Sequence, residues 1–244
     1  STAAEGTQAS YQFDYMNGFG TSTSANADYY AWMWKRAPSY FDVVAYAGTG
    51  VARTINHNLG AVPEMMWVKS RTNTRNWMVY HKDANANPES GMLRLDGTQA
   101  FATGTTTWNN TQPTASVFSV GTRNETNNAS ETFIAYLFAS LDGVSKVGSY
   151  TGNGSLTGPS IDCGFSAGPR FVLIKRTDSG ENWYMFDSER GIVAGADPYL
   201  MLNSTAAEIN AGDIIDPTSS GFQLATNGSI ANASGGTYIF YAIA

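Results

Sequence analysis

"SETFIAYLFAS", residues 130–140, carries apolar and aromatic side chains on both faces of a would-be strand. "GGTYIFYAIA" closes the chain at 235–244 with the same pattern, and "ADYYAWMWKRA" at 27–37 shows it a third time. A closing strand that recurs implies a unit that recurs, and the flanking residues supply that unit. "NLGAVPEMMWVKSRTNTRNWMVYHKD" (58–83) aligns with "CGFSAGPRFVLIKRTDSGENWYMFDSE" (163–189). Pro63 then meets Pro169, Lys69 meets Lys175 and Trp77 meets Trp183, each pair 106 residues apart. "VAYAGTG" (44–50) meets "GSYTGNG" (148–154), and "GMLRLDG" (91–97) meets "PYLMLNS" (198–204). Order and spacing agree over about a hundred residues, which marks a duplication.

The expected division is a stub at 1–39, the tail of a preceding β unit, followed by repeats at 40–140 and 141–244. "FDVVAY", "EMMWVKS", "NWMVYH", "GMLRLD" and "SVFSVG" are short β-branched or aromatic runs between Gly, Asn, Pro and Ser clusters. That spacing predicts an all-β fold of two tandem, jelly-roll-like β-sandwich repeats, with an N-terminal strand-pair stub. "RFVLIK" (170–175) is continuously apolar, as a strand buried on both faces would be. Gly48-Thr49-Gly50 and Gly152-Asn153-Gly154 read as turns. In "STAAEINAG" (204–212), Thr205 and Glu208 have capping-box spacing and predict one or two helical turns. "SLDGVSK" (140–146) is short enough to predict a fixed stack of the two repeats. The stub is expected to pack on the first repeat or on a neighbouring subunit, because a lone strand pair is marginal.

The 244 residues carry 14% charged side chains and a net charge of −6, with polarity supplied by Ser, Thr, Asn and Gly. No basic stripe exists, which argues against a nucleic-acid partner. No apolar run reaches the ~18 residues of a membrane span. Cys163 is the single cysteine, so neither an intrachain disulfide nor a Cys-based zinc site is available. The residues call for no cofactor.

Catalytic signatures are weak. The two histidines, His57 and His81, fall opposite Asp162 and Asp187 in the second copy, so no duplicated base is kept. Scattered carboxylates leave room for a polysaccharide depolymerase, but Glu64 is replaced by Arg170 in the second copy. "DANANPES" sets Asp83, Asn85 and Asn87 at alternate positions with Glu89 beyond, half of an oxygen-rich calcium loop, yet Pro88 stands where such a loop needs Gly. The plainer reading is a polar turn capped by its own Asx side chains. Trp77 and Trp183, retained in both copies, are expected as core. Trp32 and Trp34 are expected to seal the stub against a neighbour. Trp108, in the polar stretch "TTTWNNTQ", is the leading exposed ligand contact. The candidate binding set is Trp108, His81, Asp83, Asn85, Asn87 and Asp187, on loops near Trp108, 83–90 and 187–197.

"YYAWMWKRAPSYFDVVAYAGTG", "INHNLGAVPEMMWVKSR", "NWMVYH" and "VGSYTGNG" with "GPSIDCGFSAGPRFVLIKR" resemble a repeated β-domain of bacteriophage tail-fibre-like structural proteins. In those proteins the domain often follows a concanavalin-like jelly roll, whose last strand "ADYYAWMWKRA" resembles. The resemblance implies a virion protein outside the cell, a homotrimer among other virion proteins, and an adhesin or fibre role at the host surface with a glycan as receptor. It supplies no catalytic residues. A capsid or tail decoration module is the alternative.

Overall fold

A computed structural model of the chain describes residues 2–5, 12–15, 18–20, 32–210 and 212–244. An N-terminal antiparallel pair comes first, β1 (Gln12–Tyr15) and β2 (Gly18–Gly20). The first half follows as β3 (Phe41–Ala47), β4 (Arg53–Asn56), β5 (Met65–Ser70), β6 (Met78–His81), β7 (Gly91–Arg94), β8 (Ala102–Thr103), β9 (Val117–Val120) and β10 (Thr132–Phe138). The second half is β11 (Ser145–Thr151), β12 (Ser160–Asp162), β13 (Phe171–Arg176), β14 (Trp183–Asp187), β15 (Leu200–Met201), β16 (Ile215–Thr218), β17 (Gly221–Leu224) and β18 (Thr237–Ile243). Helix is confined to a 3-10 turn at Pro88–Ser90 and one α turn at Asn124–Asn127.

Each half has one large sheet and one small one. The large sheets run β3-β10-β5-β6-β7-β8 and β11-β18-β13-β14-β15, so the first and last long strands of each half pair. The small sheets are β4-β9 and β12-β17-β16. The registers match between halves. Met65 pairs with His81 as Phe171 pairs with Asp187, and Phe133 with Ser70 as Tyr238 with Arg176. Ile55 opposite Phe118 is repeated as Ile161 opposite Phe222.

Two independent sandwiches would hold two cores; here there are three. One lies between the first half's sheets, with Met66, Val68, Phe118 and Phe133. Another lies between the second half's sheets, with Val172, Ile174, Phe222 and Phe240. The third lies between the two large sheets, which face each other through Met65, Trp67, Phe138, Leu173, Trp183 and Tyr241. The molecule is therefore four β layers deep. This explains the uninterrupted apolar runs. Alternate residues of β5 and of β13 serve different cores, so neither face can be polar. The linker is a tight turn in which Leu141 and Ser145 exchange backbone hydrogen bonds, with Gly143 at φ 72°.

The glycine turns have a duplicated task. A Cβ on Gly48 would lie 2.0 Å from the Asn128 carbonyl oxygen, and one on Gly152 2.3 Å from that of Ala233. Such close approach admits only glycine, and it brings each loop to a buried asparagine. Asn127 Oδ1 accepts from Thr49 N (2.9 Å) while its Nδ2 donates to the carbonyls of Val51 and Gly121, both at 2.7 Å. Asn232 repeats this with Asn153 N (2.8 Å), Ser155 O (2.8 Å) and Thr226 O (2.7 Å).

The expected stub strand at 27–37 falls partly on 27–31, outside the described residues. Residues 32–36 are irregular, and Ala37 alone forms a bridge, to Phe41. Residues 2–5 lie along the first half: Glu5 N donates to Arg71 O (2.7 Å) and Arg75 N to Thr2 O (3.1 Å). The helix expected at 204–212 is absent from its described residues. Ile209 bridges to Tyr199 and Glu208 pairs with Arg190, contacts that a helical turn there would forgo.

Candidate functional site

The duplication places the same tryptophan twice, at Trp77 just before β6 and at Trp183 opening β14. Both backbones are pinned alike. Trp77 N donates to Asp96 Oδ1 and Trp183 N to Asn203 Oδ1, each at 2.9 Å. Their surroundings then diverge. The end of β7 and the chain after it reach across to the second half, where Trp183 Nε1 donates to Arg94 O (2.8 Å) and Lys175 Nζ to Thr98 O (3.3 Å). Trp183 is left 1% exposed. Trp77 is half-buried, stacked on Tyr136 with ring centroids 6.1 Å apart.

Beside Trp77 opens a cleft of about 640 Å³ between the large sheets. Trp32, Trp34, Trp67, Trp77 and Tyr136 supply aromatic walls, and Asp96 is the one charged side chain among the described lining residues. The irregular segment 32–36 forms one wall. Trp34 packs edge-on against Phe138 and Phe171, with centroids 6.4 and 5.8 Å away. Trp32 Nε1 donates to Asp187 Oδ2 (3.0 Å), and the Arg190 guanidinium lies 5.0 Å from the Trp32 ring. Trp67 is 9% exposed, and its Nε1 has no hydrogen-bond partner among the described residues.

Burial lowers the pKa of the Lys69 ammonium, and the charges of Asp96 and Glu131 raise it, which places Asp96 within Coulombic reach of a cation. Lys69 Nζ also donates to Ser70 O (2.6 Å) and Asn73 O (3.2 Å). Its counterpart Lys175, wholly buried, donates to Arg176 O (2.7 Å) and is brought down to about 8 by burial.

A family model described as a domain of unknown function, DUF7483, matches residues 2–244. The chain belongs to the DUF7483 family. No curated protein and no solved structure matches it. The match covers the stub and both halves of the duplication.

The loop residues expected to bind ligand are mostly engaged elsewhere. Trp108 is not exposed: it is 0% accessible, edge-on to Tyr80 in the first half's core. His81 is also buried, between the two large sheets. Its Nδ1 accepts from Asp83 N (3.2 Å), so Nε2–H faces Phe240 O (3.3 Å), and desolvation depresses its pKa to about 3. It is a neutral bridge between halves. Asp187 is buried under Trp32 and ion-paired to Arg190, so it anchors the cleft wall rather than contacting solvent.

Asp83, Asn85 and Asn87 are exposed, with Asn85 Oδ1 accepting from Asn87 N (3.2 Å) in an Asx turn. Glu89 turns instead to Gln112 Nε2 (3.2 Å). Among the described residues no three His, Cys, Asp or Glu side chains gather as a metal site. Trp183 is core; Trp77, Trp32 and Trp34 line the cleft. Of the residues not singled out by sequence, Asp96 carried a usable signal, since it closes "GMLRLDG" where Asn203 closes "PYLMLNS". Tyr136 and Trp67 carried none, because strand aromatics look alike until the sheets are stacked.

No helix among the described residues is long and apolar enough to cross a membrane.

Proposed function

We propose that this chain is a non-enzymatic structural module of a bacteriophage particle, a tail-fibre or adhesin segment that touches a glycan on the host surface. The sequence resemblance to tail-fibre-like β-domains supports the phage setting, and implies a homotrimer packed among other virion proteins. The observation that carries the binding role is the cleft beside Trp77. Aromatic faces from both halves and one carboxylate surround a space within the ~300–1,000 Å³ common to ligand sites. Its floor, Trp67 and Phe138, stands on strands packed between cores, which preorganises that part of the site. The expected contact surface therefore moves from the Trp108 loop to this cleft.

Fluorescently labelled chain, incubated with a panel of bacteria and their purified surface polysaccharides, tests the proposal. Saturable binding to intact cells, without new reducing ends, is the expected result. Absence of binding across the panel removes the adhesin role, and release of oligosaccharide would make the protein a depolymerase.

A further inference from the structure

We infer that segment 32–36 is an exchangeable strap, which in oligomers of this chain leaves its own body and packs into the same place on another molecule of the chain. This deepens the homo-oligomer part of the proposed function by naming what joins the subunits; the phage setting does not enter it.

The strap is held through side chains. Trp32 and Trp34 are half-buried while Met33 and Lys35 are exposed, the alternation of an extended strand. Yet among the described residues no amide or carbonyl of 32–36 hydrogen-bonds another backbone group. Trp32 rests on Asp187 and Arg190, Trp34 on the rings of Phe138 and Phe171, and Arg36 on Asp42. One repeat later, the equivalent stretch at the end of β10 is paired on both sides, with β3 and with β5. A strap without ladder bonds detaches without opening a sheet, and another molecule offers it the same anchors.

The turn that folds the strap back is strained. Tyr40 N and Phe41 N donate to Ala37 O, and Ala37 N donates to Phe41 O. The turn between the halves repeats these three bonds at Leu141, Val144 and Ser145. Pro38 fixes a negative φ at the second turn position, so a left-handed third position makes this a type II turn. The later turn places Gly143 there at φ 72°, whereas the earlier one places Ser39 there at φ 59°. A β-carbon in that region costs about a factor of ten in population. Extending the hinge releases that strain and gives up one bond to the body, Ser39 N to Leu59 O (2.7 Å), leaving the amide to water. Short hinges under strain favour exchange over folding back. The strap's contacts are the same in both arrangements, so hinge strain and protein concentration decide between them.

The test refolds the full chain from urea at about 10 µM and about 1 mM, spanning the millimolar effective concentration of a short link, and sizes it by light scattering after gel filtration. Wild type is expected to be monomeric at the lower concentration and to gain closed oligomers at the higher. Ser39→Gly should raise the dissociation constant of a dimer about a hundredfold, tenfold for each of its two hinges. Deleting Pro38 and Ser39 leaves too little chain to turn back, so that variant should be oligomeric at both concentrations. A Glu5→Cys/Arg71→Cys pair reports which molecule holds the strap. Glu5 N donates to Arg71 O (2.7 Å), residue 5 precedes the hinge and residue 71 follows it. The disulfide therefore closes within a monomer and between chains in an exchanged oligomer, as non-reducing gels read, while Cys163 is buried. Circular dichroism checks folding; if the deletion variant does not fold, Ser39→Gly and the cysteine pair decide. The inference falls if wild type is monomeric at both concentrations, if the oligomers carry intrachain disulfides alone, or if Ser39→Gly oligomerises as wild type does. Adhesion to cells is scored separately. A chain that adheres while always monomeric sinks the exchange and leaves host contact standing, and exchanged oligomers that adhere to no cell do the reverse.

Discussion

Trp183→Ala and Trp77→Ala delete the same side chain from duplicated positions, and the structure assigns them very different costs. Trp183 is 1% exposed in the core between the large sheets. Truncating a buried tryptophan costs about 3–5 kcal/mol in lost transfer and cavity formation. The Arg94 carbonyl also loses its Nε1 donor, which adds about 1 kcal/mol. Trp77 is half-buried and borders an existing cleft, so its removal opens no closed cavity. Its loss should cost about 1–2 kcal/mol.

Urea unfolding followed by circular dichroism measures both, since fluorescence would change with the tryptophan itself. With m near 3 kcal/mol/M, the midpoint should fall by roughly 1.5 M for Trp183→Ala and roughly 0.5 M for Trp77→Ala. If Trp183→Ala does not fold, Trp183→Phe keeps most of the ring and should cost about 2 kcal/mol. Losses for the two Ala variants within about 1 kcal/mol of each other would refute the claim that one copy is sealed and the other open.

The buried asparagines should behave as a matched pair. Asn127→Ala and Asn232→Ala each strip partners from three backbone groups and should each cost about 2–4 kcal/mol by urea unfolding. His81 should make stability pH-dependent. Its folded pKa is lowered to about 3 while an unfolded histidine titrates near 6.5, so the unfolded state binds the proton first. Stability contributed by neutral His81 is full above about pH 6.5 and is lost at about 1.4 kcal/mol per pH unit as pH falls towards 3. In His81→Leu that slope, read from unfolding midpoints between pH 6.5 and 4, should flatten. Asp187→Ala removes the acceptor of Trp32 Nε1, so trypsin should cut at the exposed Lys35 and Arg36 faster than in wild type, as followed by mass spectrometry.

What the sequence disclosed follows from what is local or duplicated. The matched Pro, Lys and Trp pairs at 106 residues foretold strands with matching registers. The G-x-G turns foretold sharp loops, though their closeness to Asn127 and Asn232 needed coordinates. "RFVLIK" carried the hint of burial on both faces, but which layer covers each face is a long-range fact. Trp108 misled for a physical reason. Its neighbours are polar, yet Asn109 and Asn110 take left-handed φ values of 54° and 47°, and the turn they make accompanies a Trp108 ring lodged in the core. Glu208 looked like a helix-capping residue and instead crosses to Arg190, a tertiary contact that overrides local preference. Asp96 was visible as a residue and invisible as a site, because its neighbours Trp67 and Tyr136 come from other strands.

The asymmetry between the copies bears on why the cleft exists at all. Two sheets that face each other through duplicated surfaces could bury both tryptophans equally. Instead, the end of β7 and the chain after it cross to the second half and supply the carbonyls of Arg94 and Thr98 to Trp183 and Lys175. The first half's Trp77 and Lys69 get their cover from the N-terminal side, where residues 3–5 and the segment around Trp32 and Trp34 line adjoining hollows. Among the described residues, the segment that lines this side is irregular rather than a paired strand. The seam's floor is nevertheless as rigid as a core, because Trp67 and Phe138 belong to strands buried on both faces. Duplication thus yields a rigid floor beneath two differently covered copies of one tryptophan.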